Sequence, residues 1–202
     1  MFRKTNTYII EILSDGIKEC KVRWPTDEEW AAFFRARRIV RRQLGGGRSV
    51  SEFPDNDKAS AALLSKIRLD RDGAAFDDAE AEDVITRLTK CDLNEVQREG
   101  VNFVIDQSVI GGDVRHTLRI PSSKQRRKHE NASASSIDAS RERITKIFIE
   151  PSGDLYDEIA VSSTGYEGDV PLIHKWAAVN ALFEAIDAIM QEPRPEVSAP
   201  VA

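Results

Sequence analysis

Thr7-Tyr8-Ile9-Ile10-Glu11-Ile12-Leu13, followed by Ser14-Asp15-Gly16, is the stretch on which the fold turns. Its β-branched and aromatic residues favour a strand, and Asp-Gly favours a tight reversal because glycine takes positive φ without steric cost. Residues 17–24 form the return strand, kept partly wet by Lys18, Glu19, Lys21 and Arg23, and Pro25 ends it. Thr26 is a good N-cap, Thr26 with Glu29 fits a capping box, and Asp27, Glu28 and Glu29 suit the positive end of a helix dipole. The helix is expected to run to about Leu44, where Gly45-Gly46-Gly47 stops it. On it Trp30, Phe33, Phe34, Val40 and Leu44 share one face and Arg35, Arg38 and Arg42 another. Arg37 falls within the apolar face, so its stem snorkels or its head pairs with a carboxylate.

The pattern returns further along. Val101-Asn102-Phe103-Val104-Ile105-Asp106 resembles Asn6-Thr7-Tyr8-Ile9-Ile10-Glu11, Gly111-Gly112-Asp113 is the turn, and Arg119-Ile120-Pro121-Ser122 matches Arg23-Trp24-Pro25-Thr26. One residue inserted near the second turn brings the two copies into step. An internal duplication of a hairpin–helix module accounts for this. So do two unrelated hairpins that each end in proline and a hydroxyl before a helix.

Between the copies, residues 45–57 read as a linker and residues 58–69 and 78–91 as helices. Asp77 or Asp78 caps the second of these, and Val84, Ile85, Leu88 and Cys91 form its buried stripe. Residues 122–136 are basic and then rich in serine and alanine, with the later part mobile. A third strand pair is expected at 144–150 and 155–162 across Pro151-Ser152-Gly153-Asp154. Pro171 opens a long C-terminal helix to about Gln191, with Leu172, Trp176, Val179, Phe183, Ile186 and Met190 as a seam that packs on the domain's own sheet. The expected division is 1–44, a hairpin–helix module; 45–57, a linker; 58–91, a helical pair; 92–136, the second hairpin and polar segment; 137–192, a strand pair plus the C-terminal helix; and 193–202, a disordered tail. The fold class is α+β: antiparallel hairpins packed by helices.

Composition narrows the function classes. Apolar residues are 41% of the 202, charged residues are 31%, and the formal net charge is −5, a globular balance that disfavours a dedicated nucleic-acid binder. No apolar run approaches the roughly 18 residues of a membrane span, and no apolar core of a secretion signal follows Met1. With only Cys20 and Cys91, and nothing to pair them, a cytoplasmic location with free thiols is the expectation.

Catalytic, metal and cofactor motifs are not found. His116, His129 and His174 have no metal-ligand spacing, and each is read as a surface or partly buried residue. Gly45-Gly46-Gly47 follows a helix and lacks the lysine of a phosphate loop, while Gly111-Gly112 joins strands. Asp77, Asp78, Glu80, Glu82 and Asp83 are a solvated helix start. Two basic clusters remain: Arg35, Arg37, Arg38, Arg41, Arg42 and Arg48, then Lys124, Arg126, Arg127 and Lys128. They can neutralise phosphates, pair with the acidic 70–83 region, or keep a helix soluble.

The hairpin, the Arg23-Trp24-Pro25-Thr26 junction and the acidic helix start resemble small tail-assembly proteins of long-tailed bacteriophages over roughly the first 45 residues. That resemblance implies a chaperone of tail assembly in the host cytoplasm, with other phage structural or tail proteins as partners. Two later strand pairs and the long last helix depart from that group. The leading expectation is therefore a non-enzymatic phage or prophage protein of virion assembly. Its candidate contact residues are Trp30, Phe33, Phe34, Arg35, Arg38, Arg42, Trp176 and Phe183. The alternative is a nucleic-acid-associated protein using the arginine-rich clusters. The sequence sets no oligomeric state.

Overall fold

Two residues, Phe2–Arg3 (β1), precede the first hairpin, Thr7–Ser14 (β2) and Gly16–Arg23 (β3), in the computed structural model. The structure describes residues 1–14, 16–37, 40–44, 48–52, 56–70, 72–134 and 150–191. Within these, the side chains of residues 31, 35, 40–44, 48–52, 132–134 and 150 lie outside the description. The hairpin pairs from Thr7↔Arg23 to Ser14↔Gly16, and its alternation buries Tyr8, Ile10, Ile12, Cys20 and Val22 on one face. The helix α1 (Asp27–Ala36) starts at the expected capping box, in which Thr26 Oγ1 accepts from Glu29 N–H and Glu29 Oε2 accepts from Thr26 N–H.

That helix does not reach Leu44. Arg37 is its C-cap, and Val40–Leu44 (β4) pairs antiparallel with Arg48–Glu52 (β5). Val40 is β-branched and weak in helices, and the expected stop at Gly45-Gly46-Gly47 lies outside the described residues. The expected linker at 45–57 thus contains a strand and the start of α2 (Asn56–Ile67). Asp77 caps α3 (Asp78–Thr89) through a second capping box with Glu80.

A four-stranded antiparallel sheet follows, in the order β6 (Cys91–Glu99), β7 (Asn102–Val109), β8 (Gly112–Arg119) and β9 (Ala160–Thr164). Cys91 opens β6 and does not end the α3 stripe. Helix α4 (Ser123–Ala134) occupies the basic stretch. The expected strand pair at 144–150 and 155–162 is corrected: α5 (Glu150–Ile159) is a helix, and only 160–162 of the second range is strand, within Ala160–Thr164. Pro151 is tolerated in the first turn, and Leu155, Tyr156 and Ile159 make one buried helical face. The strand expected at 144–149, the mobile part of 122–136 beyond Ala134 and the tail at 193–202 lie outside the described residues. Tyr166–Glu167 (β10) then pairs parallel with β1, and α6 (Leu172–Gln191) closes the chain.

Two hydrophobic clusters result. The first gathers the hairpin β2–β3 with Phe2, Trp24, Trp30, Phe33, the inner faces of α2 and α3, and Ile173. The second packs Phe103, Ile105 and Leu118 of the sheet against α5 and α6. The last helix does pack on the chain's own sheet, but its deepest face is Ile173, His174, Ala178, Val179, Ala181 and Leu182. Of the expected seam only Val179 is fully buried, and Met190 is exposed. The small residues Ala178 and Ala181 let the backbone approach the sheet, which sends the bulky seam residues to the flanks. Among the described residues no helix is long and apolar enough to cross a membrane.

Candidate protein-docking cleft

Arg23 and Glu29 fix the direction in which α1 leaves the first hairpin. Two guanidinium–carboxylate bonds of 2.8 and 2.7 Å join them, and Arg23 also donates to the Lys66 carbonyl. The Arg23 guanidinium, with the Thr26 amide assisting, holds the Glu29 carboxyl down at about 2. An aromatic ladder then runs from the hairpin into the helix. Trp24 meets Trp30 edge-on at 5.7 Å, Trp30 stacks on Phe34 at 5.7 Å, and Phe33 lies edge-on to both helix neighbours.

The start of α6 faces this ladder. Phe33, Phe34, Ile173, Trp176 and Ala177, with Thr89, Cys91 and Arg37, line a cleft of about 270 Å³. Phe33 is buried, while Phe34 and Trp176 are half-buried and open to it. Arg37 sits at the rim with its guanidinium 5.1 Å from the Phe33 ring centroid, donating to Glu82 at 2.8 Å and to Asn56 at 3.3 Å. Of the two alternatives expected for Arg37, the carboxylate pairing is the one found: its head bonds Glu82 near the start of α3 and lies over the Phe33 ring. Burial, with Asp92 adding to it, pushes the Cys91 thiol up to about 12, so the cleft wall carries a neutral thiol. Its mostly apolar lining suits apolar side chains, and its volume lies just below the roughly 300–1,000 Å³ common for small-molecule sites.

Four of the expected contact residues, Trp30, Phe33, Phe34 and Trp176, thus come together, although α1 and α6 are far apart in sequence. Phe183 does not join them. It packs on the second cluster, with the His129 ring at 5.2 Å and the Arg126 guanidinium at 5.5 Å. The side chains of Arg35 and Arg42, and Arg38 entirely, lie outside the described residues. In the second basic cluster Arg126 bonds Glu130 and Asp187, Lys128 bonds Glu158 at 2.6 Å, and Lys124 and Arg127 are exposed.

The sequence reading missed two features. Ile9, Leu13 and Ile17 are 63%, 78% and 73% exposed, an apolar row on the outer face of the first hairpin. Their odd-numbered spacing, read against the strand alternation, would have flagged them. The other concerns the histidines: His116 and His174 are fully buried, and His129 is half-buried against Ser152 at 3.0 Å. Among the described residues no group of three or more His, Cys, Asp or Glu is placed to hold a metal ion.

No family model matches the chain, and neither a curated protein nor a solved structure does.

Proposed function

We propose that this chain is a non-enzymatic protein of phage or prophage origin that acts in virion tail assembly, in the host cytoplasm, by gripping apolar side chains of a tail structural protein in the α1–α6 cleft. The observation that carries the protein-contact reading is the convergence of Phe33, Phe34 and Trp176 on one open apolar cleft, with Arg37 pinned at its rim. The assembly context rests on the likeness of the first hairpin and its Pro-Thr junction to tail-assembly proteins. Partly exposed aromatic rings held by a rigid frame are the usual anchors of protein interfaces.

Nucleic-acid association is the second reading, and the ion pairs weigh against it. Arg37, Arg126 and Lys128 already hold carboxylates, which leaves fewer cations to release counterions from a phosphate backbone.

Tail-tube and tape-measure proteins purified from the phage or prophage that the proposal requires to encode this chain, titrated against the full chain, test the proposal. Micromolar binding that falls at least tenfold in Trp176→Ala or Phe34→Ala is the expected result. Absence of binding to either protein overturns the assembly role, and salt-sensitive binding to DNA or RNA would favour the second reading.

A further inference from the structure

The β1–β10 pair is a clasp of two residues on each side, and it covers the two most deeply buried histidines. Phe2 N–H donates to the Gly165 carbonyl at 2.7 Å, and Phe2 pairs with Tyr166 in parallel register. Beneath the clasp, Phe2 meets the His174 ring at 4.9 Å, Trp24 meets it at 5.4 Å and Tyr166 at 5.8 Å. Tyr166 also joins the second imidazole: its hydroxyl lies 3.1 Å from His116 Nε2, while His116 Nδ1 lies 2.7 Å from the Tyr156 hydroxyl. The row His174, Tyr166, His116, Tyr156 therefore runs from the first cluster to the second.

The two imidazoles are not equivalent. His116 has a hydroxyl at each ring nitrogen, which suits a neutral ring that donates from one and accepts at the other. Among the described residues His174 has no partner at either nitrogen, although both atoms are buried. A proton on His174 would be an uncompensated charge in an aromatic box, and such a charge is expelled or hydrated. Water reaches it most cheaply by lifting the smallest paired unit above it, which is the clasp.

The geometry points to an acid-operated lid: protonation of His174 and His116 below neutral pH releases the β1–β10 clasp and bares Phe2, Trp24 and Tyr166. This inference is independent of the docking role proposed for the α1–α6 cleft. The bared surface is nevertheless continuous with that cleft through Trp24 and Trp30.

The groups facing the pair set the sign. His174 is held down to about 3 by burial first, then by His116 and by Lys4, which follows β1. Burial holds His116 down to about 4, against Asp106 on β7, which pulls the other way. From α5 and β10, Tyr156 and Tyr166 face His116, and burial raises both phenols, so they stay neutral. Both imidazoles are thus depressed in the closed state. The closed clasp has its full stability above the ordinary histidine value near 6.5 and loses it as pH falls toward the closed-state values. At pH 5 the closed-to-open ratio should fall about 30-fold for each histidine. Glu29 and Glu80 lose their contributions only below about 4.5, so the range from pH 6.5 to 5 reports on the histidines.

The test is an NMR titration of the full chain that follows the imidazole carbons and the exchange of the Phe2 amide, corrected for intrinsic rates. Between pH 7.5 and 5.0, Phe2 protection is expected to fall several-hundred-fold, about 30-fold for each histidine, while the central β7–β8 amides keep theirs. His174→Leu should remove about 30-fold of that loss. Unchanged Phe2 protection at pH 5.0, ordinary titration of both imidazoles near 6.5, or a full acid response in His174→Leu each overturns the lid. If His174→Leu does not fold, Phe2→Ala replaces it. Opening the clasp at neutral pH should bring both imidazoles back toward 6.5, and values that stay depressed count against the proposal.

Discussion

The two hairpins share one backbone plan and differ in what they bury. Tyr8↔Val22, Ile10↔Cys20 and Ser14↔Gly16 in the first correspond to Phe103↔Leu118, Ile105↔His116 and Val109↔Gly112 in the second. One residue, Asp15, lies between the paired ends of the first, and Ile110 with Gly111 lie between those of the second, which places the inserted residue at the turn. Each hairpin runs into a proline and a capping box, Thr26 with Glu29 and Ser122 with Gln125. Register, inward face and cap all match, as an internal duplication would leave them.

Burial separates them. The first hairpin is a two-stranded sheet whose buried inner face is Tyr8, Ile10, Ile12, Cys20 and Val22, with the Tyr8 hydroxyl turned to the Arg3 carbonyl. The second is flanked by β6 and β9 and carries Gln107 and His116 where the first has Ile12 and Cys20. The comparison teaches that the His116 ring was admitted where neighbouring elements supply partners, since Tyr156 and Tyr166 serve it, whereas Gln107 Oε1 is buried with no partner among the described residues. The first hairpin meets its polar partners at the margins of its inner face, where Lys18 bonds Glu80 of α3 and the Tyr8 hydroxyl donates to the Arg3 carbonyl. Charge follows the same logic: Glu29 answers Arg23, whereas the neutral Gln125 cannot answer Arg119, whose head donates to the Glu158 carbonyl at 3.3 Å.

Forcing the second pattern onto the first hairpin should do the most damage. Ile12→Gln is expected to cost ~3–4 kcal/mol in urea unfolding, from lost apolar burial plus an unpaired amide. A cost under 1 kcal/mol would mean that the first core can hydrate a polar group. Glu29→Gln copies the second cap and should cost ~1–2 kcal/mol at pH 7. Because the Glu29 carboxyl is depressed in the folded chain, its contribution is present above about 4.5 and fades as pH falls toward about 2. The wild-type and Glu29→Gln stabilities should therefore converge in that window.

The reverse exchange should help. Gln107 Oε1 is buried without a partner among the described residues, so Gln107→Leu is expected to leave stability unchanged or raise it by ~1 kcal/mol in thermal unfolding. A clear loss would assign that oxygen a partner. Smallest of all, Ser122→Ala should cost ~0.5–1 kcal/mol, because the cap is exposed and neutral.

Sequence reasoning read the first hairpin, its cap, the second hairpin and the extent of the last helix well because each rests on local chemistry: β-branched runs, turn glycine, capping residues. It failed where tertiary pairing decides. Val40 to Leu44 fits a helix face as well as a strand, and only pairing with Arg48–Glu52 resolves the choice. The β6 residues Asp92, Asn94, Glu95, Gln97, Arg98 and Glu99 look nothing like a buried strand because β6 is an edge, where charge and a bulge near Asn94 discourage further pairing. Leu155, Tyr156 and Ile159 fit either period over so short a span. For the cleft, the aromatic face of α1 was legible and Trp176 was singled out, but their meeting depends on how α6 crosses the sheet. Phe183 was grouped with them only by sharing the seam of the same helix.

The clasp also imposes an order of events on synthesis. Residue 2 pairs with residue 166, so the ring it plugs into the first cluster waits until most of the chain has left the ribosome. The first hairpin, α1, α2 and α3 can associate from local contacts, but they do so with the Phe2 socket unfilled. Closure is a late step that tethers the two ends of a long stretch of chain, the kind of remote pairing that slows folding and lengthens the exposure of sticky intermediates. Gly165, at φ +87 with the Asp113 carbonyl only 2.5 Å from where a Cβ would stand, has no room for a side chain at the point where that late arrival docks, its carbonyl accepting from Phe2 N–H.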